Sequence, residues 1–179
     1  IYAPHCYSLP ALAPGSHHIK IRIDNSPSSV PAEIQSSHAW TDGTQTNWNG
    51  ILGDFYIEAT PHTYLEQVQV YPSVKEKKAR IHVNIYSDSE QSGVVTLSAK
   101  TWNTQQEHLL LDMEKQVGLS KGENKIELTL DMGNRMQTWS EFHPTLYALN
   151  VTLATNEGKD NIITDFGMRD FATEGKIGR

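Results

Sequence analysis

Apolar and polar residues alternate strictly along several short segments of this sequence. In Ile19–Asp24 every second residue is apolar, and the residues between them are charged. Side chains alternate between the two faces of a β-strand, so such a segment buries one face and exposes the other. The same alternation predicts seven further strands, around Phe55–Ala59, Val68–Val70, Ile81–Ile85, Val95–Ala99, Ile126–Leu130, Tyr147–Leu153 and Ile162–Phe166.

Clusters of Gly, Pro and Asn separate these segments and predict chain reversals. Gly adopts positive φ readily and Pro presets φ, which is why both are typical of turns. The segment Leu109–Val117 has no clear period and could form either a helix or a strand; we interpret it as a strand. Short strands separated by turns favour an all-β sandwich, without a helix of more than about two turns. The predicted turns are Pro14-Gly15, Asp24–Pro27, Ser92-Gly93, Lys121–Asn124 and Asn156–Lys159.

The composition changes near Thr60–Thr63 and predicts a domain boundary there. Residues 25–48 are irregular and rich in Ser, Pro, Thr, Asn and Gly, whereas strands follow regularly afterwards. We therefore predict an immunoglobulin-like β-sandwich over residues 61–179. Residues 1–60 contain too few strands to bury a core alone, so they either pack on the sandwich or are the remainder of a larger domain.

Composition excludes some functions. The chain has 179 residues and a net charge of −6 without a basic block, which argues against binding to nucleic acid. No segment approaches the roughly 20 apolar residues of a membrane-spanning helix. The first residues lack the pattern of a signal peptide. Cys6 is the single cysteine, so the fold must depend on burial rather than on an intramolecular disulfide.

Three stretches, taken in order, resemble the non-catalytic front end of glycoside hydrolase family 2. Leu12–Asn25 is similar to the late strands of that family's jelly-roll sugar-binding domain. Thr44–Gly53, followed by Phe55–Ala59, looks like the segment that closes that domain. His143–Val151, with Asp165–Arg169 near the end, is similar to the end of its immunoglobulin-like domain.

This resemblance implies a partial jelly-roll domain at 1–60, an immunoglobulin-like domain at 61–179, and a parent enzyme that is bacterial and β-galactosidase-like. A (β/α)₈ catalytic barrel would follow the Phe166-Gly167-Met168-Arg169 segment, and the early jelly-roll strands would precede the chain. The barrel is thus the expected partner of this chain. No cofactor is expected, and a periplasmic or extracellular location is favoured. Arg169 either contacts this barrel or is a surface residue.

The sequence offers no convincing catalytic residue or metal site. A retaining glycosidase needs two carboxyl groups about 5–5.5 Å apart, and the resemblance implies an acid/base within an Asn-Glu pair. Asn156-Glu157 matches that pair, but Gly158 follows it between two predicted strands, which is typical of a hairpin turn. His17 and His18 would point to opposite faces of a strand, and the other histidines lack zinc-type spacing.

One loop has the composition of a sugar-binding site. Aromatic rings stack on the C–H faces of sugars, while amides and carboxylates contact the hydroxyl groups. The resemblance places this loop beside the catalytic pocket, although Thr44 stands where some members have a carboxylate. The alternative is that both tryptophans pack the loop on the sandwich and the polar residues cap turns. The predicted carbohydrate-proximal residues are Trp40, Asp42, Gln45, Asn47, Trp48 and Asn49.

Two functional hypotheses follow. In the first, the chain is a non-catalytic part of a β-galactosidase-like enzyme that braces the barrel and contributes a loop to the rim of its active site. In the second, it is a free-standing carbohydrate-binding module of β-sandwich form, with carbohydrate as its partner. A domain that only scaffolds protein partners has no positive support in the sequence. Trp139 is expected to be an anchor in the core or between the sheets.

Overall fold

The computed structural model describes residues 5–10, 12–24, 26, 31–34, 50–51, 53–104, 106–171, 173–174 and 177–178. The chain divides into two units, Ile1–Ile57 and Glu58–Arg179. In the described part of the first unit, Ala32–Ile34 forms a 3₁₀ turn. No helix among the described residues is long and apolar enough to cross a membrane.

The second unit is all-β, which confirms the predicted fold class. Two antiparallel sheets form the sandwich, with strand orders β1-β2-β5 and β4-β3-β6-β7, and β8 and β9 pair separately. The chain crosses between the two sheets after β2, β4 and β5, as in immunoglobulin-like folds. The strands are β1 (Thr63–Ser73), β2 (Lys78–Ser87), β3 (Gln91–Thr101), β4 (Leu109–Leu119), β5 (Gly122–Asp131), β6 (Tyr147–Thr155), β7 (Gly158–Phe166), β8 (Thr173–Glu174) and β9 (Ile177–Gly178).

The core lies between the inward faces of the two sheets. In β2, Ala79, Ile81, Val83 and Ile85 are completely buried, and the residues between them face outward. The inward side chains of β3 and β6 pack against them in one cluster. This is the alternation that the sequence predicted, and burial of each large aliphatic side chain stabilises the fold by roughly 1.5–3 kcal/mol.

Two strand predictions are wrong. Neither of the two segments, Ile19–Asp24 and Phe55–Ala59, forms a strand, and their large apolar side chains are exposed. An alternating segment becomes a strand only when a neighbour supplies backbone hydrogen bonds. Among the described residues none pairs with these two segments. The partial jelly roll at 1–60 therefore stays a prediction.

One turn prediction is also wrong. Ser92 and Gly93 lie inside β3, and the reversal between β2 and β3 occurs just before, at residues 88–90. Gly93 has a packing role, because a Cβ there would come within 3.1 Å of the Ala154 carbonyl oxygen on β6. The turns predicted at Lys121–Asn124 and Asn156–Lys159 are confirmed in part: the chain reverses at residues 120–121 and 156–157, and Gly122 and Gly158, both with positive φ, are the first residues of β5 and β7.

Candidate functional site

The predicted sugar-binding loop lies outside the described residues. This holds for all six of its candidate residues, Trp40, Asp42, Gln45, Asn47, Trp48 and Asn49. Their proximity to carbohydrate therefore stays a prediction. The described residues contain no group of three or more His, Cys, Asp or Glu side chains that could hold a metal ion.

The Asn156-Glu157 pair forms the two-residue turn between β6 and β7, as the sequence predicted. The Glu157 Oε2 atom accepts hydrogen bonds from Gln91 Nε2 at 3.1 Å and from Thr63 Oγ1 at 3.2 Å. Thr63 belongs to β1 in one sheet and Gln91 to β3 in the other. The carboxylate therefore joins the hairpin to both sheets, which is a structural role.

A second carboxylate of this hairpin is also used structurally. Asp160 Oδ2 accepts a hydrogen bond from the Leu65 amide of β1 at 2.7 Å. Leu65 precedes an irregularity in the register between β1 and β2, where one extra residue, Glu66, interrupts the ladder. A side chain on β7 thus satisfies a backbone donor of β1, an edge strand of the other sheet.

A buried histidine–tyrosine pair lies at the opposite end of the sandwich. His108 Nδ1 is 2.8 Å from the Tyr147 hydroxyl, and this hydroxyl accepts a hydrogen bond from the Gln137 amide at 2.9 Å. The Thr101 hydroxyl accepts a hydrogen bond from the His108 amide at 2.8 Å. Tyr147 also stacks on Phe166, with ring centroids 5.3 Å apart. Together these contacts fix the long connection between β5 and β6 on the sheet.

The Tyr147 hydroxyl makes both of its hydrogen bonds when His108 is neutral. The Tyr147 hydroxyl can then donate its proton to His108 Nδ1 while accepting from Gln137. A protonated His108 would donate instead and leave the hydroxyl proton without this acceptor. Burial lowers the pKa of His108, and the Arg135 guanidinium lowers it further. Burial likewise raises the pKa of the Tyr147 phenol, so both groups are uncharged at neutral pH.

Acid should destabilise the sandwich through His108. Its pKa in the folded state lies below the value of 6.5 expected when unfolded, so the unfolded chain binds more protons between the two values. The free energy of unfolding should therefore fall as the pH drops below about 6.5, by at most about 1.4 kcal/mol per pH unit. Urea unfolding of the parent and His108→Gln between pH 5 and pH 7.5 measures this. His143→Gln, at an exposed histidine, is the control. A His108→Gln variant with the parent's full pH dependence would contradict the prediction.

Trp139 packs against residues 167–169, which directly follow β7. Its amide donates to the Met168 carbonyl at 3.0 Å, and the Arg169 guanidinium lies 4.8 Å from its ring centroid. A Cβ on Gly167 would come within 2.9 Å of the Trp139 Cβ. Trp139 is partly buried and anchors the segment 167–169 to the loop before β6. Arg169 is exposed and is held against this ring.

The sandwich has the fold of domains found in large glycosidases. It is similar to part of Bacteroides uniformis β-glucuronidase (TM-score 0.52, 17% identity), covering 64% of this chain and 15% of that one. It is also similar to part of the β-D-mannosidase from Dictyoglomus thermophilum (TM-score 0.53, 19% identity), covering 62% of this chain and 14% of that one. At these identities the likeness establishes the fold alone.

The family follows from the sequence itself. The model of the glycosyl hydrolases family 2 matches residues 63–169, from the start of β1 to Arg169. This match includes all seven strands of the sandwich, and the chain belongs to that family. No curated protein matches the chain. The resemblance that the sequence motifs indicated is thereby confirmed.

Proposed function

We propose that this chain is a non-catalytic part of a β-galactosidase-like enzyme of glycosyl hydrolases family 2, and that it braces the enzyme's catalytic barrel. The observation that carries the proposal is the family match over the whole seven-stranded sandwich. The chain spans only 15% and 14% of the two solved glycosidases, which supports a modular role within a longer polypeptide. We also propose that residues 1–60 belong to a sugar-binding jelly roll.

The use of the described carboxylates supports a structural role. Glu157, which lies in the Asn-Glu pair, is bonded to Thr63 and Gln91, and Asp160 is bonded to the Leu65 amide. Burial is the largest cause of the lowered pKa of His108 and of the raised pKa of Tyr147, both of which are buried. Burial of a neutral group is what packing of a core produces.

A group of exposed apolar side chains supports contact with a further domain. Trp102, Phe142, Ile163 and Phe171 are 56%, 82%, 67% and 80% exposed. The Trp102 indole is held by Asp165 near the end of β7, with Nε1 3.1 Å from Oδ1. Phe142 lies in the Ser140–His143 turn beside Trp139, and Phe171 follows Arg169 in the chain. Single exposed apolar residues are ordinary, but several in one region are typical of an interaction surface.

Two activity measurements test the proposal. The purified chain should not hydrolyse nitrophenyl β-galactoside, β-glucuronide or β-mannoside above the buffer rate, whereas the longer polypeptide that includes its coding neighbours should. Hydrolysis that copurifies with the chain alone would contradict the proposal, and so would a downstream coding sequence without a barrel.

Substitution of the exposed residues tests the bracing role. In the chain alone, Phe171→Ala should change the free energy of unfolding by less than about 0.5 kcal/mol, because this residue is exposed. Trp102→Ala should lower it by no more than about 1.5 kcal/mol, because it also removes the hydrogen bond to Asp165. In the longer polypeptide the same variants should lower the melting temperature by several degrees. Equal effects in both proteins would contradict a role in bracing.

A further inference from the structure

The outward face of the three-stranded sheet carries aromatic and amide side chains that the core does not use. We call this surface the tyrosine face and define it by Tyr64, Gln67, Tyr71, His82, Asn84 and Tyr86. On β2 the odd-numbered residues from Ala79 to Ile85 are buried, so His82, Asn84 and Tyr86 face outward. The register between β1 and β2 places Tyr64 opposite Tyr86 and Gln67 opposite Asn84.

A β-bulge brings Tyr64 and Tyr71 to the same face. Seven positions separate them, so a regular strand would direct them to opposite faces. The register shifts by one residue between Leu65 and Gln67, and Glu66 is the extra residue. A bulge of this kind reorients the side chains that follow it. From Gln67 onward the odd-numbered residues of β1 therefore face outward, including Tyr71.

The rings form two pairs along the sheet. The centroids of Tyr64 and Tyr86 are 5.5 Å apart, and those of Tyr71 and His82 are 4.7 Å apart. His82 and Tyr86 are separated by four positions of β2, which corresponds to about 13 Å along a strand. Asn84 Nδ2 and Gln67 Oε1 meet at 3.4 Å between the two pairs. The tyrosine face thus has an aromatic platform at each end and amides in the middle. Charged residues of both signs border it, with Arg80 opposite Tyr71 and, on β5, Glu123, Lys125 and Glu127 opposite Tyr86, Asn84 and His82.

The chemistry of this face fits carbohydrate better than protein. Amide groups offer both donors and acceptors, as sugar hydroxyls do, and phenol rings present apolar surfaces with a polar tip. The strands β1, β2 and β5 are fully described. Among their large hydrophobic side chains, Tyr71 is the one that is exposed, at 43%. A stable protein interface would have a more apolar centre. The Glu127 carboxylate, 3.4 Å from His82 Nε2, orients the imidazole.

We propose that the tyrosine face binds an extended, neutral oligosaccharide. Its sugar rings stack on the Tyr64–Tyr86 pair and on the Tyr71–His82 pair, and the Asn84 and Gln67 amides contact the hydroxyls between them. The distance between the platforms selects a chain of several sugars over a monosaccharide. This binding goes beyond the proposed bracing role and does not depend on it, because the site lies on the sandwich alone.

Calorimetric titration of the purified chain with xylohexaose, cellohexaose, mannohexaose and a galactan-derived hexasaccharide tests the proposal. At least one should bind with a millimolar or tighter Kd, and the corresponding monosaccharide should bind at least tenfold more weakly. Tyr71→Ala and Tyr86→Ala should each weaken binding at least tenfold, whereas Tyr71→Phe should retain it. Trp102→Ala, at an exposed tryptophan outside this face, is the matched control and should bind like the parent.

The chemical shifts of the backbone amides, followed during the titration, report binding without the need for a variant. The largest changes should fall on β1 and β2, and the melting temperature of each variant establishes that it is folded. Binding to none of the four hexasaccharides would overturn the proposal. Binding that Trp48→Ala abolishes and Tyr71→Ala leaves intact would overturn it as well, by assigning the sugar to the loop. A dimer that Tyr71→Ala dissociates would assign the face to a second copy of the chain.

Discussion

Tyr147→Ala should lower the free energy of unfolding by roughly 3–5 kcal/mol. Tyr147 is completely buried at the start of β6, stacks on Phe166 and meets the edge of the His108 ring. The substitution leaves a cavity and also removes the hydroxyl that His108 and the Gln137 amide share. Domains are stable by about 5–15 kcal/mol, so the loss is a large part of the total. Urea unfolding at pH 7.5 measures it.

Tyr147→Phe separates the hydroxyl from the ring. It keeps the ring contacts and leaves the buried His108 Nδ1 and the half-buried Gln137 amide without this partner, so we expect a loss of about 1–3 kcal/mol. Phe142→Ala, at a side chain that is almost fully exposed, is the control and should be neutral within about 0.5 kcal/mol. If Tyr147→Phe were as stable as the parent, the hydrogen bonds of the pair would contribute nothing to folding.

The sandwich was predictable where alternation coincides with burial. In β2, β3 and β6 most inward residues are aliphatic and most outward residues are polar or small, so period two identifies both the strand and its buried face. The same signal failed at Ile19–Asp24, because pairing depends on a neighbouring strand that local sequence does not encode. Alternation predicts which face a strand would bury, and a partner decides whether the strand forms.

The ambiguity of Leu109–Val117 has a structural cause. Leu97 pairs with Met113 and Ala99 pairs with Leu110. β4 therefore advances three residues over a stretch in which β3 advances two. This bulge breaks the alternation of β4 midway, which is why the segment shows no clear period. The strand interpretation of this segment is confirmed, since β4 extends over Leu109–Leu119.

The polar sites were harder to predict than the strands. His108 and Tyr147 are 39 positions apart, and only the pairing of β3 with both β4 and β6 brings them together. A tyrosine in the apolar register of a strand does signal a buried hydroxyl that needs a partner. The tyrosine face depends on the β1 bulge, which alternation alone would have missed. The proposed loop around Trp48 came from composition, and it stays a prediction.

Gly167→Ala should destabilise the sandwich by roughly 1–3 kcal/mol, and a larger side chain should cost more. The new Cβ would lie 2.9 Å from the Trp139 Cβ and 3.0 Å from its Cγ, closer than carbon atoms pack. Because the nearest obstacle is next to the Trp139 backbone, it cannot move aside as a flexible side-chain end would. The loop before β6 would have to shift, which also weakens the contact between Arg169 and the Trp139 ring.

Gly118→Ala provides a matched control for this substitution. Gly118 lies in β4 without positive φ, and a Cβ there would meet nothing within 4 Å, so the variant should be neutral or slightly more stable. A double-mutant cycle with Trp139→Ala then locates the cause. Removal of the indole eliminates the contacts to Cγ and Cδ1, so the cost of Gly167→Ala should shrink in that background. An unchanged cost would mean that the indole is not the cause, and would leave the clash with the Cβ that alanine keeps at position 139, or the backbone conformation of Gly167, as the reason for glycine.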